Sequence, residues 1–173
     1  MSFKNKLVAG VVSLCTLFGA LAPTPVLAAN STPVYRLYNR QTGEHFYTVY
    51  SQEYYNLIAG GWTSEGVGWN APLSGWYVYR LLNPNTGDHH YCMDTNEKDT
   101  LIARGWVYEG VAWGSVSLAW EDRATARGIP VYRCYNPYAT TATHHYTKSA
   151  SEVRALQRLG WRYEGIAWYG SAY

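Results

Sequence analysis

The chain reads GEHFYT at residues 43–48, GDHHYC at 87–92 and ATHHYT at 142–147, and these three stretches hold all five of its histidines. Whether a triplicated histidine–aromatic segment is scaffold or chemistry decides both fold and function. Working outward, each stretch occupies the same place in a longer unit. The first unit runs from PVYRLYN at 33 through SQEYYNLIAGG to WTSEGVGW, ending at Trp69. The second runs from YVYRLLN at 77 through TNEKDTLIARG to WVYEGVAW, ending at Trp113. The third runs from PVYRCYN at 130 through SEVRALQRLG to WRYEGIAW, ending at Trp168. The intervals from the motif tyrosine to a glutamate, and from that glutamate to the last tryptophan, are identical in all three, which is the signature of an internal repeat.

Each unit has one local reading. VYRLYN and HFYTV alternate on a period of two and are rich in β-formers, and the loop between them carries Asn, Thr and Gly, so the pair predicts a hairpin. SQEYYNLIAGG predicts a helix that stops at glycine. Asp94 and Ser149 each stand three residues before a glutamate, the spacing of a capping box. WxxEGxxW predicts a last strand in which Gly66, Gly110 and Gly165 mark a bulge or a close backbone approach. The expected fold is therefore α+β: a single domain over residues 30–173 made of three ββαβ-type repeats, about 33–69, 77–113 and 130–168. One unit is too small to bury its own face, so the repeats are expected to close around a pseudo-threefold axis, which removes free sheet edges. A β-trefoil-like arrangement has a similar repeat length without the helices and is the alternative. The longer link between the second and third units holds EDRATAR and reads as a solvated excursion.

Ahead of the repeats, Lys4 and Lys6 precede an apolar run from Leu7 to Leu21, a proline break and the small-residue ending VLAA. This predicts a secretory signal peptide over residues 1–29. The run is shorter than the ~20 residues a membrane span needs. The mature chain is thus expected to be secreted, extracellular and free of the membrane. Losing the signal takes two lysines and no acid from the 14 basic and 12 acidic residues, leaving 12 of each. A neutral surface argues against nucleic acid, whose binding needs a basic field. All 17 tyrosines and 8 tryptophans follow the signal. Such residues suit both hydrogen-bonded cores and wet recognition surfaces. Cys92 and Cys134 also remain, and secretion makes a disulfide between them possible.

The pattern VYRLYN, HFYT, helix, GWxxEGxxW resembles a secreted repeat family known only as a domain of unknown function, DUF5648. The resemblance covers nearly the whole mature chain. It implies an extracellular accessory module of the kind attached to cell-wall or glycan-degrading enzymes, with no established activity.

Four sets of polar residues recur: Arg36, Arg80 and Arg133; Asn39, Asn83 and Asn136; His45, His89 and His144; Glu65, Glu109 and Glu164. A helix glutamate, Glu53, Glu97 or Glu152, joins them. Read as scaffold, arginine and glutamate pair between strands and histidine bonds a neighbour. Read as chemistry, catalysis is disfavoured, because an acid–base pair needs two unlike environments and repetition supplies like ones. There is no GxSxG elbow and no HExxH, and no cofactor is expected. A hydrolase, or a metal held by His45, His89 and His144, ranks below binding. The preferred expectation is a non-catalytic module for carbohydrate or cell-wall polymer with up to three equivalent weak sites. Candidate ligand-binding residues are Tyr47, Glu65 and Trp69, with Tyr91, Glu109, Trp113, Tyr146, Glu164 and Trp168. Sugars stack their C–H faces on aromatic rings and bond their hydroxyls to charged groups, whose hydrogen bonds are the stronger ones. An extracellular protein-interaction module is the alternative, since surface Tyr and Trp also mark protein interfaces.

Overall fold

The computed structural model describes residues 31–116 and 128–172. The signal peptide expected over residues 1–29 and the EDRATAR excursion lie outside these residues. Unit one consists of β1 (Ser31–Tyr38), β2 (His45–Thr48), α1 (Ser51–Ala59) and β3 (Thr63–Pro72). Unit two consists of β4 (Trp76–Leu82), β5 (His89–Cys92), α2 (Thr95–Ala103) and β6 (Val107–Ser115). Unit three consists of β7 (Gly128–Tyr135), β8 (His144–Thr147), α3 (Ala150–Arg158) and β9 (Arg162–Ser171). No helix among the described residues is long and apolar enough to cross a membrane.

The strand–strand–helix–strand order of each unit matches the expectation; the assembly does not. The strands are antiparallel and form two sheets, one of six strands in the order β2-β1-β3-β9-β7-β8 and one of three in the order β5-β4-β6. The expected α+β fold closed around a pseudo-threefold axis is therefore corrected to a β-rich, sandwich-like arrangement with three short helices. The trefoil-like alternative fails as well, since a helix follows every hairpin. The reason lies beyond the last tryptophan of each repeat, where the sequences differ. Units one and three join by ladder pairing of Asn70 with Ser171. Unit two meets β9 through isolated bonds instead: the Val116 N–H donates to the Tyr169 carbonyl at 2.9 Å and the Tyr169 N–H to Ser115 Oγ at 3.1 Å.

The helices contribute little to the core. Val153 is their one buried residue. Asp94 caps α2 by accepting from the Asn96 and Glu97 N–H groups, and Ser149 caps α3 by accepting from Glu152 N–H; α1 has no side-chain cap. The short, polar helices are therefore held by what their glutamates reach.

Between the sheets lies a core of repeated aromatics. Tyr47, Tyr91 and Tyr146 are wholly buried, and Trp69, Trp113 and Trp168 nearly so. Each tyrosine hydroxyl serves the backbone of another unit's tyrosine. Tyr47 Oη donates to the Tyr146 carbonyl at 2.8 Å and accepts from its N–H at 3.1 Å. Tyr91 does the same to Tyr47, at 2.9 and 3.1 Å, and Tyr146 to Tyr91, at 2.8 and 3.2 Å. A burial site that demands a ring and a hydroxyl explains why the motif carries tyrosine rather than phenylalanine. The three indoles meet one another with centroids 5.7–5.8 Å apart and planes inclined by 55–71°. Their Nε1 atoms are buried without a hydrogen-bond partner. The edge-to-face placement sets electropositive rims against electronegative faces, which offsets part of that desolvation.

Candidate functional site

The repeated polar residues gather where units meet. Opposite Arg36, Arg80 and Arg133 the ladder between the first and last strand of each unit slips register. The last strand there carries a glycine at positive φ: Gly66 at 77°, Gly110 at 109° and Gly165 at 104°. A Cβ at any of these three would meet nothing within 4 Å, so backbone conformation rather than crowding selects glycine and the feature is a bulge. The bulge brings the preceding glutamate to the arginine. Arg36 Nε lies 2.8 Å from Glu65, Arg80 Nε 2.8 Å from Glu109 and Arg133 Nε 2.8 Å from Glu164. The same guanidinium then reaches the helix of a different unit: Arg36 to Glu152 at 3.3 Å, Arg80 to Glu53 at 2.9 Å and Arg133 to Glu97 at 2.9 Å.

The first histidine of each unit completes these contacts. His45, His89 and His144 point Nε2 at Glu65, Glu109 and Glu164, at 3.3, 3.6 and 3.5 Å. They do not gather into a metal triangle. His45 packs beside His145, His144 beside His90 and His89 beside Phe46, with ring centroids 4.4, 4.5 and 4.7 Å apart. Burial, then the neighbouring His145 and Arg36, push His45 down to about 3, so it stays neutral. The hydrogen bond from His145 holds Glu152 at about 2. For Glu97 burial acts upward, but bonds from His90 and Arg133 win and bring it to about 2. His144 likewise lowers Glu164.

The nine candidate ligand residues therefore divide. The rings of Tyr47, Tyr91, Tyr146, Trp69, Trp113 and Trp168 are core and present no face to solvent. Glu65, Glu109 and Glu164 stay partly exposed beside their arginines. Arg36, Glu65 and Glu152 line a cleft of about 170 Å³, and Arg133, Glu164 and Glu97 line one of about 270 Å³. Cys92 and Cys134 are buried free thiols, not a disulfide. Cys134 fills the packing position of Leu37 and Leu81, all three wholly buried.

A larger groove, about 550 Å³, belongs to unit two and is lined by Trp76, Tyr77, Tyr79, Met93, Asp94 and Thr95. Trp76 and Tyr77 are 62% and 59% exposed. Gly75, at φ 141°, precedes them, and a side chain there would strike the Ser115 carbonyl, so β6 fixes the start of this wall. Sequence reasoning missed the groove because it weighed what the units share. Its signal is a departure: Trp76-Tyr77 stands where the other units have Thr32-Pro33 and Ile129-Pro130.

Residues 33–171 match the family DUF5648, a domain of unknown function, and the chain belongs to that family. No curated protein and no solved structure matches it.

Proposed function

We propose that this member of DUF5648 is a secreted, non-catalytic module that binds carbohydrate, a cell-wall polymer or another extracellular glycan, with its principal site in the unit-two groove. The observation that carries the reading is one groove whose lining combines the aromatic residues Trp76, Tyr77 and Tyr79, the first two well exposed, with Asp94 and Thr95. A sugar offers C–H faces to such rings and hydroxyls to such oxygens. One principal site takes the place of three equivalent ones, because the rings expected to stack in each repeat are buried. The non-catalytic part rests on the carboxylates: Glu97, Glu152 and Glu164 are shifted toward the ionised form, whereas a general acid at neutral pH needs the opposite shift. The secreted part rests on the charged, apolar and small-residue pattern of residues 1–29.

A glycan array followed by pull-down on purified cell walls tests the class. Retention that soluble oligosaccharide competes away, and that Trp76→Ala weakens at least about tenfold, or about 1.4 kcal/mol, supports the proposal. Retention on a protein fraction that no oligosaccharide competes gives the protein-interaction reading instead.

A further inference from the structure

We propose that unit two also holds a transition-metal ion, zinc by ligand type, on His90 Nε2, Cys92 Sγ and a carboxylate oxygen of Glu97. These three atoms lie within 4.8 Å of one another. An ion at roughly 2.0–2.3 Å from each requires the thiol to close by about 1 Å and the His90–Glu97 contact, now 2.9 Å, to open slightly. Imidazole, thiolate and carboxylate together are a donor set that suits zinc. Nothing in this inference depends on the saccharide groove.

The hydrogen bonds around His90 are compatible with a ligand role for Nε2. Tyr146 Oη gives its proton to the Tyr91 carbonyl at 2.8 Å, so it faces His90 Nδ1, at 3.4 Å, as an acceptor. On the other side, Nε2 faces Glu97 Oε1, a second acceptor. A neutral imidazole has one N–H for these two acceptors. In the tautomer that carries its N–H on Nδ1, a cation at Nε2 meets the second acceptor. With Nδ1–H directed to Tyr146 Oη, the Nε2 lone pair is free for a metal. Glu97 Oε1 would exchange its contacts to His90 Nε2 and Arg133 Nη1, each at 2.9 Å, for the ion, while Oε2 keeps Arg133 Nη1 at 3.1 Å. Arg133 in turn keeps Glu164 at 2.8 Å. The cleft of about 270 Å³ that Cys92 and Glu97 line supplies an entry path and room for a water as a further ligand.

Unit two alone has this set. Unit one carries Phe46 and Thr48 at the corresponding positions, and unit three carries His145 and Thr147, whose hydroxyl donates to Glu152. The repeat therefore names the variants best suited to keep the fold, His90→Phe and Cys92→Thr. Cys134→Leu, the residue of the other two units, removes the second buried thiol as a control.

The metal-stripped chain is titrated with Co²⁺ and then Zn²⁺. The expected result is one Co²⁺ per chain with a near-ultraviolet thiolate-to-metal absorption that Zn²⁺ displaces, abolished by His90→Phe and by Cys92→Thr and kept by Cys134→Leu. Residue-resolved alkylation checks the unmutated chain, where Zn²⁺ should slow modification of Cys92 at least about tenfold and leave Cys134 unchanged. Overturning results are affinity for Co²⁺ and Zn²⁺ weaker than about 1 μM, uptake that survives Cys92→Thr, or a Cys92 that zinc does not protect.

Discussion

Phenylalanine in place of a motif tyrosine would keep the ring and remove a hydroxyl that serves two backbone groups. In Tyr47→Phe the N–H and carbonyl of Tyr146 lose their partner in a site without solvent. At about 1–3 kcal/mol for each buried group left unpaired, the variant should lose about 2–6 kcal/mol in urea unfolding followed by tryptophan fluorescence, and a loss below about 0.5 kcal/mol would show that water or relaxation replaces the bond. Histidine acts through charge instead. His45 is held at about 3 by burial, His145 and Arg36, with Glu152 acting upward, while the unfolded chain titrates near 6.5. Below 6.5 the unfolded state binds the extra proton, so stability present above that pH is lost as pH falls toward 3. His45→Gln should flatten this part of the stability curve, and an unchanged slope would mean that the imidazole is charged in the fold. The tyrosines and histidines were legible in sequence as repeated positions. Their roles were not, because a recurring residue looks the same whether its ring faces solvent or another copy of itself.

At the level of elements, the helices show how little of a docking contact is local. Their glutamates were visible at constant spacing, as were the caps at Asp94 and Ser149. The partners were not, since Glu53, Glu97 and Glu152 bond arginines on strands of other units rather than their own. Only the packing of units decides that choice. With Val153 their one buried residue, the helices depend on these ion pairs more than on apolar area. Glu97 and Glu152, held at about 2, titrate near 4.5 when the chain unfolds. Depressed carboxylates of this kind contribute stability above the unfolded value and lose it as pH falls through the folded one. Amide exchange in α2 and α3 should therefore accelerate between pH about 4.5 and about 2, after correction for the intrinsic acid dependence of exchange. In Glu152→Gln, α3 should exchange faster already at neutral pH and lose most of that acid response; an α3 that keeps the full response would place its docking elsewhere.

For the whole molecule, the six-and-three division of strands was hidden because it is set by Asn70-Ala71-Pro72, Gly114-Ser115-Val116 and Tyr169-Gly170-Ser171, tails in which the repeat has ended. The groove was hidden for a related reason, since Trp76 and Tyr77 are what unit two does not share. What the repeat did encode is that every unit supplies one tyrosine and one tryptophan to a common core. Removing residues 128–173 tests that dependence at once. It takes away β7, β8 and β9, half the strands of the larger sheet, and leaves β3 without its neighbour across Asn70. It also strips Tyr146 and Trp168 from rings that cover Tyr47, Tyr91, Trp69 and Trp113. The hydrogen bonds of Tyr47 Oη and Tyr91 N–H to unit three go as well. A two-unit fragment is left with large aromatics open to water and no segment to replace them, so it should show no cooperative thermal transition and red-shifted tryptophan emission. If it melts cooperatively with the emission of the intact chain, the units fold independently, and the core shared by three units is a docking surface between them rather than the condition of their stability.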